Sequence, residues 1–111
     1  MPSEKLQTLY DNAVAYMVDH CMDGRLNRFT IADALECSPR QLSRAFEDRT
    51  YTLSAALRLI RLLKAQELLV TKKKWPIKKI ATTLHFRNAK HFATCYKKQF
   101  GKTPSDEREN V

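Results

Sequence analysis

The segment Ile31-Ala32-Asp33-Ala34-Leu35 is answered later in the chain by Ile80-Ala81-Thr82-Thr83-Leu84. With one extra residue in the second turn, Leu42 and Phe46 are likewise answered by Phe92 and Tyr96. Even the exits agree, since Thr52-Leu53-Ser54 follows the first copy as Thr103-Pro104-Ser105 follows the second. Each copy reads as two short helices around a tight turn, the second helix carrying Arg or Lys between apolar anchors. That arrangement suits a DNA groove, and two copies predict a chain that reads two of them.

Only two glycines and four prolines punctuate the 111 residues, and no alternating, strand-like stretch stands out. The pattern predicts an all-α chain: two helix-turn-helix lobes joined by a long connecting helix. The expected divisions are residues 1–51 for the first lobe, 52–71 for the connecting helix and 72–111 for the second lobe. The first helix is expected from about Ser3, as N-cap, to Cys21, on the spacing of Leu6, Leu9, Tyr10, Ala13, Val14, Met17 and Val18. Thr30 is expected to cap the next helix, with Asp33 completing an approximate box and Ile31, Ala34 and Leu35 facing inward. Ser38 followed by Pro39 opens the third helix.

From about Thr52 to Val70 the leucines fall on most of the helix circumference, which predicts burial on more than one face. About nineteen residues at 1.5 Å each span roughly 28 Å, near the ~34 Å between successive major-groove faces of B-DNA. Pro76 starts the following helix, Asn88 caps the last long one, and Gly101 ends it. Glu107 to Val111 is expected to fray.

Charge is unevenly placed. The chain carries a net +8, but residues 1–36 hold six acids against three bases, whereas Cys37 onward holds seventeen Lys and Arg against six acids. This is the distribution of a polyanion-binding surface confined to part of a protein. Cys21, Cys37 and Cys95 are odd in number and widely spaced, which suggests neither a disulfide framework nor a zinc knuckle. With no signal-like amino terminus and no apolar run of membrane-spanning length, the expectation is a cytoplasmic, nucleoid-associated protein without membrane contact.

The blocks Ser38-Pro39-Arg40-Gln41-Leu42-Ser43-Arg44-Ala45-Phe46, Arg61-Leu62-Leu63-Lys64-Ala65-Gln66-Glu67-Leu68-Leu69, Ile77-Lys78-Lys79-Ile80-Ala81 and Phe100-Gly101-Lys102-Thr103-Pro104-Ser105 carry a family resemblance. In order and near-spacing they resemble the DNA-binding region of the AraC/XylS family of bacterial transcription regulators, over about residues 5–108. The resemblance implies seven helices, two recognition helices in adjacent major-groove segments, and double-stranded DNA and RNA polymerase as partners. The length is similar to that of short stand-alone members, which act as monomers without a small-molecule effector domain. A piece of a longer regulator would read the same.

The departures matter. Glu36 and His85 stand where the family usually has the turn glycine, another glycine is missing near Tyr51, and Glu107 stands where Tyr is common, although Arg108 matches. Thr94 replaces an Arg that family members often carry on the second recognition helix.

The candidate DNA-binding residues are Arg40, Gln41, Ser43 and Arg44 in the first lobe, and Asn88, Lys90, His91, Thr94, Lys97 and Lys98 in the second. Arg40 and Arg44 share a face one turn apart, and an Arg can donate twice to guanine. Lys90, His91 and Thr94 are expected to project opposite the seam of Phe92, Tyr96 and Phe100. Without the Arg, the second lobe is expected to act mainly as a backbone clamp through Lys90, Lys97 and Lys98.

No nucleophile and base pairing, Gly-rich phosphate loop or metal cluster argues for an enzyme or a cofactor. His91 and Cys95, with His85, make too few ligands for a metal site. Trp75 is expected to cover the core beside Pro76, His20 and Cys21 to be structural, and Lys72 to Lys74 to form a solvated basic loop. The leading expectation is a sequence-specific regulator, an activator that recruits polymerase. A non-specific architectural DNA binder would account for the charge but not the doubled pattern. A protein–protein module that titrates another regulator would tolerate the missing Arg at Thr94.

Overall fold

The computed structural model describes residues 4–109. Among them all regular structure is helical: α1 (Glu4–His20), α2 (Arg28–Ala34), α3 (Pro39–Ala45), α4 (Leu53–Thr71), α5 (Ile77–Thr83), α6 (Ala89–Phe100) and α7 (Pro104–Glu109). Contacts divide the chain into two compact units that meet between Ile60 and Arg61, within α4. The proposed Ser3 cap lies outside the described residues.

In the first unit α1 packs on α3 and α2. Ala13 and Met17 of α1 meet Ile31 and Ala32 of α2, Leu42, Ala45 and Phe46 at α3, and Leu53 and Leu57 of α4. Tyr10 stacks obliquely on Phe46 at 5.0 Å, and the Arg49 guanidinium covers the outer face of Tyr10 at 3.9 Å.

Helix α2 begins earlier than expected. Asn27, not Thr30, is its N-cap, accepting from the N–H groups of Phe29 and Thr30 at 2.8 and 3.0 Å, while the Thr30 hydroxyl accepts from the Asn27 N–H at 3.0 Å. Thr30 is thus the third helical residue of a reciprocal capping box. The inward face shifts accordingly: Ile31 and Ala32 are buried, Leu35 is half-buried and Ala34 is exposed.

The second unit is built on the same plan. Ile80, Ala81 and Leu84, Phe92 and Tyr96, and Leu62, Ala65, Leu68 and Leu69 of α4 form one core, with Trp75, Ile77, Cys95 and Phe100 packed against it. Phe86, Phe92, Tyr96 and Phe100 form a ladder of rings at successive centroid spacings of 5.1, 5.8 and 4.7 Å. The broad apolar surface of α4 now has its cause: Leu53 and Leu57 belong to one core, and Leu62, Leu68 and Leu69 to the other.

The repeat extends to individual backbone bonds. In the first turn the N–H groups of Glu36 and Cys37 donate to Asp33 and Ala32, and in the second those of His85 and Phe86 donate to Thr82 and Ala81. Both are the paired bonds that close a helix on a left-handed residue. Glu36 and His85 hold that conformation at φ 57° and 65° despite having a Cβ. Asp48, at φ 63°, is the left-handed residue after α3, three positions before Tyr51, near which the family's usual glycine is missing. Because a side chain disfavours this region, Glu36→Gly should raise unfolding free energy by about 1 kcal/mol, net of the extra freedom glycine has when unfolded. Urea denaturation measures it, and an unchanged or lower midpoint would show the turn to be unstrained.

The exits match as well. Thr52 accepts from the Ala55 N–H at 3.2 Å, and Thr103 from the Asp106 N–H at 3.1 Å. Thr103 therefore starts α7, which keeps Glu107 to Glu109 helical where fraying was expected. Pro104 and Glu107 are buried, and Glu107 and Arg108 bind back to the body of the unit. Asn110 and Val111 lie outside the described residues.

Candidate nucleic-acid interface

The recognition surface follows from how α3 and α6 are pinned. Ser38 accepts from the Gln41 N–H at 3.1 Å and its own N–H donates to Gln41 Oε1 at 2.9 Å, with Pro39 in the first turn. Burial of Leu42 and Ala45 fixes the helix rotation, and Arg40, Gln41, Ser43 and Arg44 are left exposed. Gln41 therefore works twice: its carbonyl oxygen closes the box, and its amide nitrogen remains as an outward donor.

Two grooves flank this face within the first unit. One, of about 230 Å³, is lined by Lys5, Leu6, Leu9, Gln41 and Arg44. The other, of about 320 Å³, lies beside Ser43 and Glu47 and is bordered by Arg28 and by Thr52, Leu53 and Ser54.

In α6, Asn88 accepts from the His91 N–H at 2.7 Å, and the buried Phe92 and Tyr96 set the rotation. Lys90, Thr94, Lys97 and Lys98 are exposed at positions that share a helix face. The Thr94 hydroxyl donates to the Lys90 carbonyl at 3.0 Å, so its proton serves its own helix and its methyl is the group left to meet a partner. Asn88, like Gln41, is exposed and engaged as a cap.

His91 is placed differently from its expected outward projection. It is half-buried, with Nε2 3.6 Å from the Cys95 thiol and its ring 6.1 Å from Phe86. Its Nδ1 is buried without a hydrogen-bond partner among the described residues. The cause is the apolar ground at the start of α6, where Phe86 draws the imidazole onto the core.

The two recognition helices also leave differently. Glu47 and Asp48 follow α3, whereas Lys97 and Lys98 occupy the matching turn of α6. A phosphate is repelled by the first pair and attracted by the second. Trp75 is half-buried against the second core as expected, with the Lys79 ammonium 4.2 Å from its ring centre. His20 turns back on its own helix, its Nδ1 2.9 Å from the Tyr16 carbonyl. No group of three or more His, Cys, Asp or Glu among the described residues is arranged to hold a metal ion, and none of their helices is long and apolar enough to cross a membrane.

Against known families, residues 31–110 match the one described as a helix-turn-helix domain. A transcriptional regulator of the AraC-type DNA-binding-domain class from Chromobacterium violaceum has the same fold with a TM-score of 0.85 at 28% identity, covering 97% of this chain and 96% of that one. The C-terminal domain of AraT, a response regulator from Geobacillus stearothermophilus, gives a TM-score of 0.79 at 29% identity, covering 93% and 85%. The DNA-binding domain of AdpA, a global transcriptional factor solved with a target DNA, shares the fold at 24% identity with a TM-score of 0.76, covering 91% and 90%. No curated protein matches the sequence.

Proposed function

We propose that this chain, a DNA-binding transcription regulator that belongs to the AraC/XylS helix-turn-helix family, reads one specific operator with two unequal lobes. The observation that carries this is the contrast between the recognition faces. Helix α3 exposes Arg40 and Arg44, both able to donate bidentately to a guanine, and ends in acids. Helix α6 exposes lysines and a threonine whose proton is already spent. The first lobe then supplies most of the base readout, with Gln41 and Ser43 beside the arginines. The second supplies mostly phosphate contacts through Lys90, Lys97 and Lys98, each releasing counterions as it binds.

No bond is made or broken in this mechanism. Each recognition helix enters a major-groove segment of its own, and Glu4, Asp11 and Asp19 are left exposed on α1. That acidic face is repelled by DNA and suits a protein contact, so the chain is read as an activator that recruits RNA polymerase, working as a monomer in the cytoplasm.

Competition between selected and random duplex at fixed salt tests the reading. Arg44→Ala should cut the preference for the selected site about 5- to 150-fold, the loss of about 1–3 kcal/mol of discrimination. Lys97→Ala should weaken both duplexes alike and lower the salt slope by about 0.9. A larger loss of preference from Thr94→Ala than from Arg44→Ala would reverse the proposed division. Equal wild-type affinity for the two duplexes would favour an architectural binder instead.

A further inference from the structure

We propose that the groove between the start of α1 and α3 seats one sugar–phosphate unit of the operator strand, with Lys5 as its phosphate ligand. The inference rests on α3 being the base-reading helix. By sequence Lys5 belongs to the acidic amino-terminal third, the part assigned to protein contact. The fold carries it instead to the edge of the recognition face, in one groove of about 230 Å³ with Gln41 and Arg44.

Donors dominate the polar lining. Lys5 and Arg44 are cations, and the Gln41 carbonyl oxygen accepts from the Ser38 N–H, so what that side chain has left to donate is its amide nitrogen. No carboxylate among the described residues lines the groove to pair with either cation. With Arg44 turned to a base, Lys5 and the Gln41 amide are the donors left beside its positive charge, a setting that calls for an anion, and the half-buried Leu6 and Leu9 give it an apolar floor. A deoxyribose phosphate has both characters, an apolar sugar edge and a charged phosphate. It is also the anion that arrives with any base Arg44 contacts, because phosphates flank every base of the strand.

Substitution at Lys5 separates binding from folding. The side chain is exposed, and a cation in the first turn of a helix is disfavoured by the helix dipole, so Lys5→Gln removes no stabilising charge interaction there. The experiment uses the full chain and a duplex that the wild type selects from random DNA, prepared as a series with single methylphosphonates that each delete one phosphate charge. Lys5→Gln should weaken selected and random duplex by the same factor. Its affinity should also fall roughly threefold less than the wild type's between 50 and 200 mM salt. One methylphosphonate next to the bases whose preference is lost in Arg44→Ala should weaken the wild type and leave Lys5→Gln unaffected, and Lys5→Arg should restore the response. If Lys5→Gln keeps the wild-type salt slope while Arg44→Ala still loses preference, the seat is refuted and the reading of α3 survives. If an acidic peptide competes for the wild type but not for Lys5→Gln while the slope is unchanged, the groove belongs to a protein partner. If the wild type selects no motif, the reading of α3 fails and the seat with it.

Discussion

Arg108→Met should lower the unfolding free energy by about 3 kcal/mol, more than any surface charge in this chain would be expected to contribute. The Arg108 guanidinium donates to three backbone carbonyls: Nε to Leu69 at 3.2 Å, Nη1 to Trp75 at 2.7 Å and Nη2 to Lys72 at 3.2 Å. Leu69 lies in the last turn of α4, where carbonyls have no partner within the helix, and Lys72 and Trp75 belong to the basic loop that follows. One side chain from α7 thus closes the end of α4, where the helix dipole also favours a cation, and ties down the loop. Methionine keeps the apolar stem but strands the carbonyls, and the rigid fork of the guanidinium explains why Lys should recover only part of the loss. Trp75 is the only tryptophan and its own carbonyl is in the clamp, so its emission during urea unfolding reports the event directly. A loss below about 1 kcal/mol would mean that water satisfies these carbonyls as well as Arg108 does.

The parts of the fold legible in the sequence are those set by local periodicity. Ile31 and Ile80, Leu42 and Phe92, and Phe46 and Tyr96 can be paired by spacing alone, and all six are buried. The all-round apolar pattern of α4 also had a single economical explanation, two cores sharing one helix. The left-handed turns at Glu36 and His85 were legible through the family resemblance, since both stand where the turn glycine is usual.

What was not legible depends on partners distant in sequence or on choices between equivalent residues. Asn27 and Thr30 are both cap-forming types three apart, and composition does not say which is the cap and which the third residue of the box. The decision is made by the extended backbone at Asn27 and by the Thr30 hydroxyl, which lies 2.9 Å from the Arg25 carbonyl. Glu107 to Val111 has no apolar stripe and so reads as a tail, yet its described part, Glu107 to Glu109, is the end of α7. That helix is held in part by polar bonds to residues thirty or more positions earlier, which no local pattern encodes. Lys5 was hidden for the same reason: its sequence neighbours are acidic and apolar, while its spatial neighbour is Arg44.

Glu107→Gln should destabilise the protein by about 2 kcal/mol at neutral pH and flatten its response to acid. Glu107 is only 8% exposed. Its carboxylate accepts from Gln66 Nε2 at 3.0 Å and from the buried Tyr96 hydroxyl at 2.6 Å, and it pairs with the Lys102 ammonium at 2.8 Å. The bond from Gln66, then those from Lys102 and Tyr96, hold the carboxyl down to about 2 from an ordinary 4.5. Burial and then the bond to Glu107 push the Tyr96 hydroxyl upward. The unfolded chain therefore takes up the Glu107 proton at a higher pH than the folded one does. The resulting stabilisation is fully present above about 4.5 and is lost as pH falls from there toward about 2. Glutamine keeps an acceptor for one donor but brings no charge for Lys102 and nothing that titrates. Stability curves of wild type and Glu107→Gln should accordingly be well separated at pH 7, narrow below pH 4.5 and meet near pH 2, as measured by urea unfolding at each pH. Parallel curves across that interval would show that the carboxylate's charge contributes nothing to holding α7 in place.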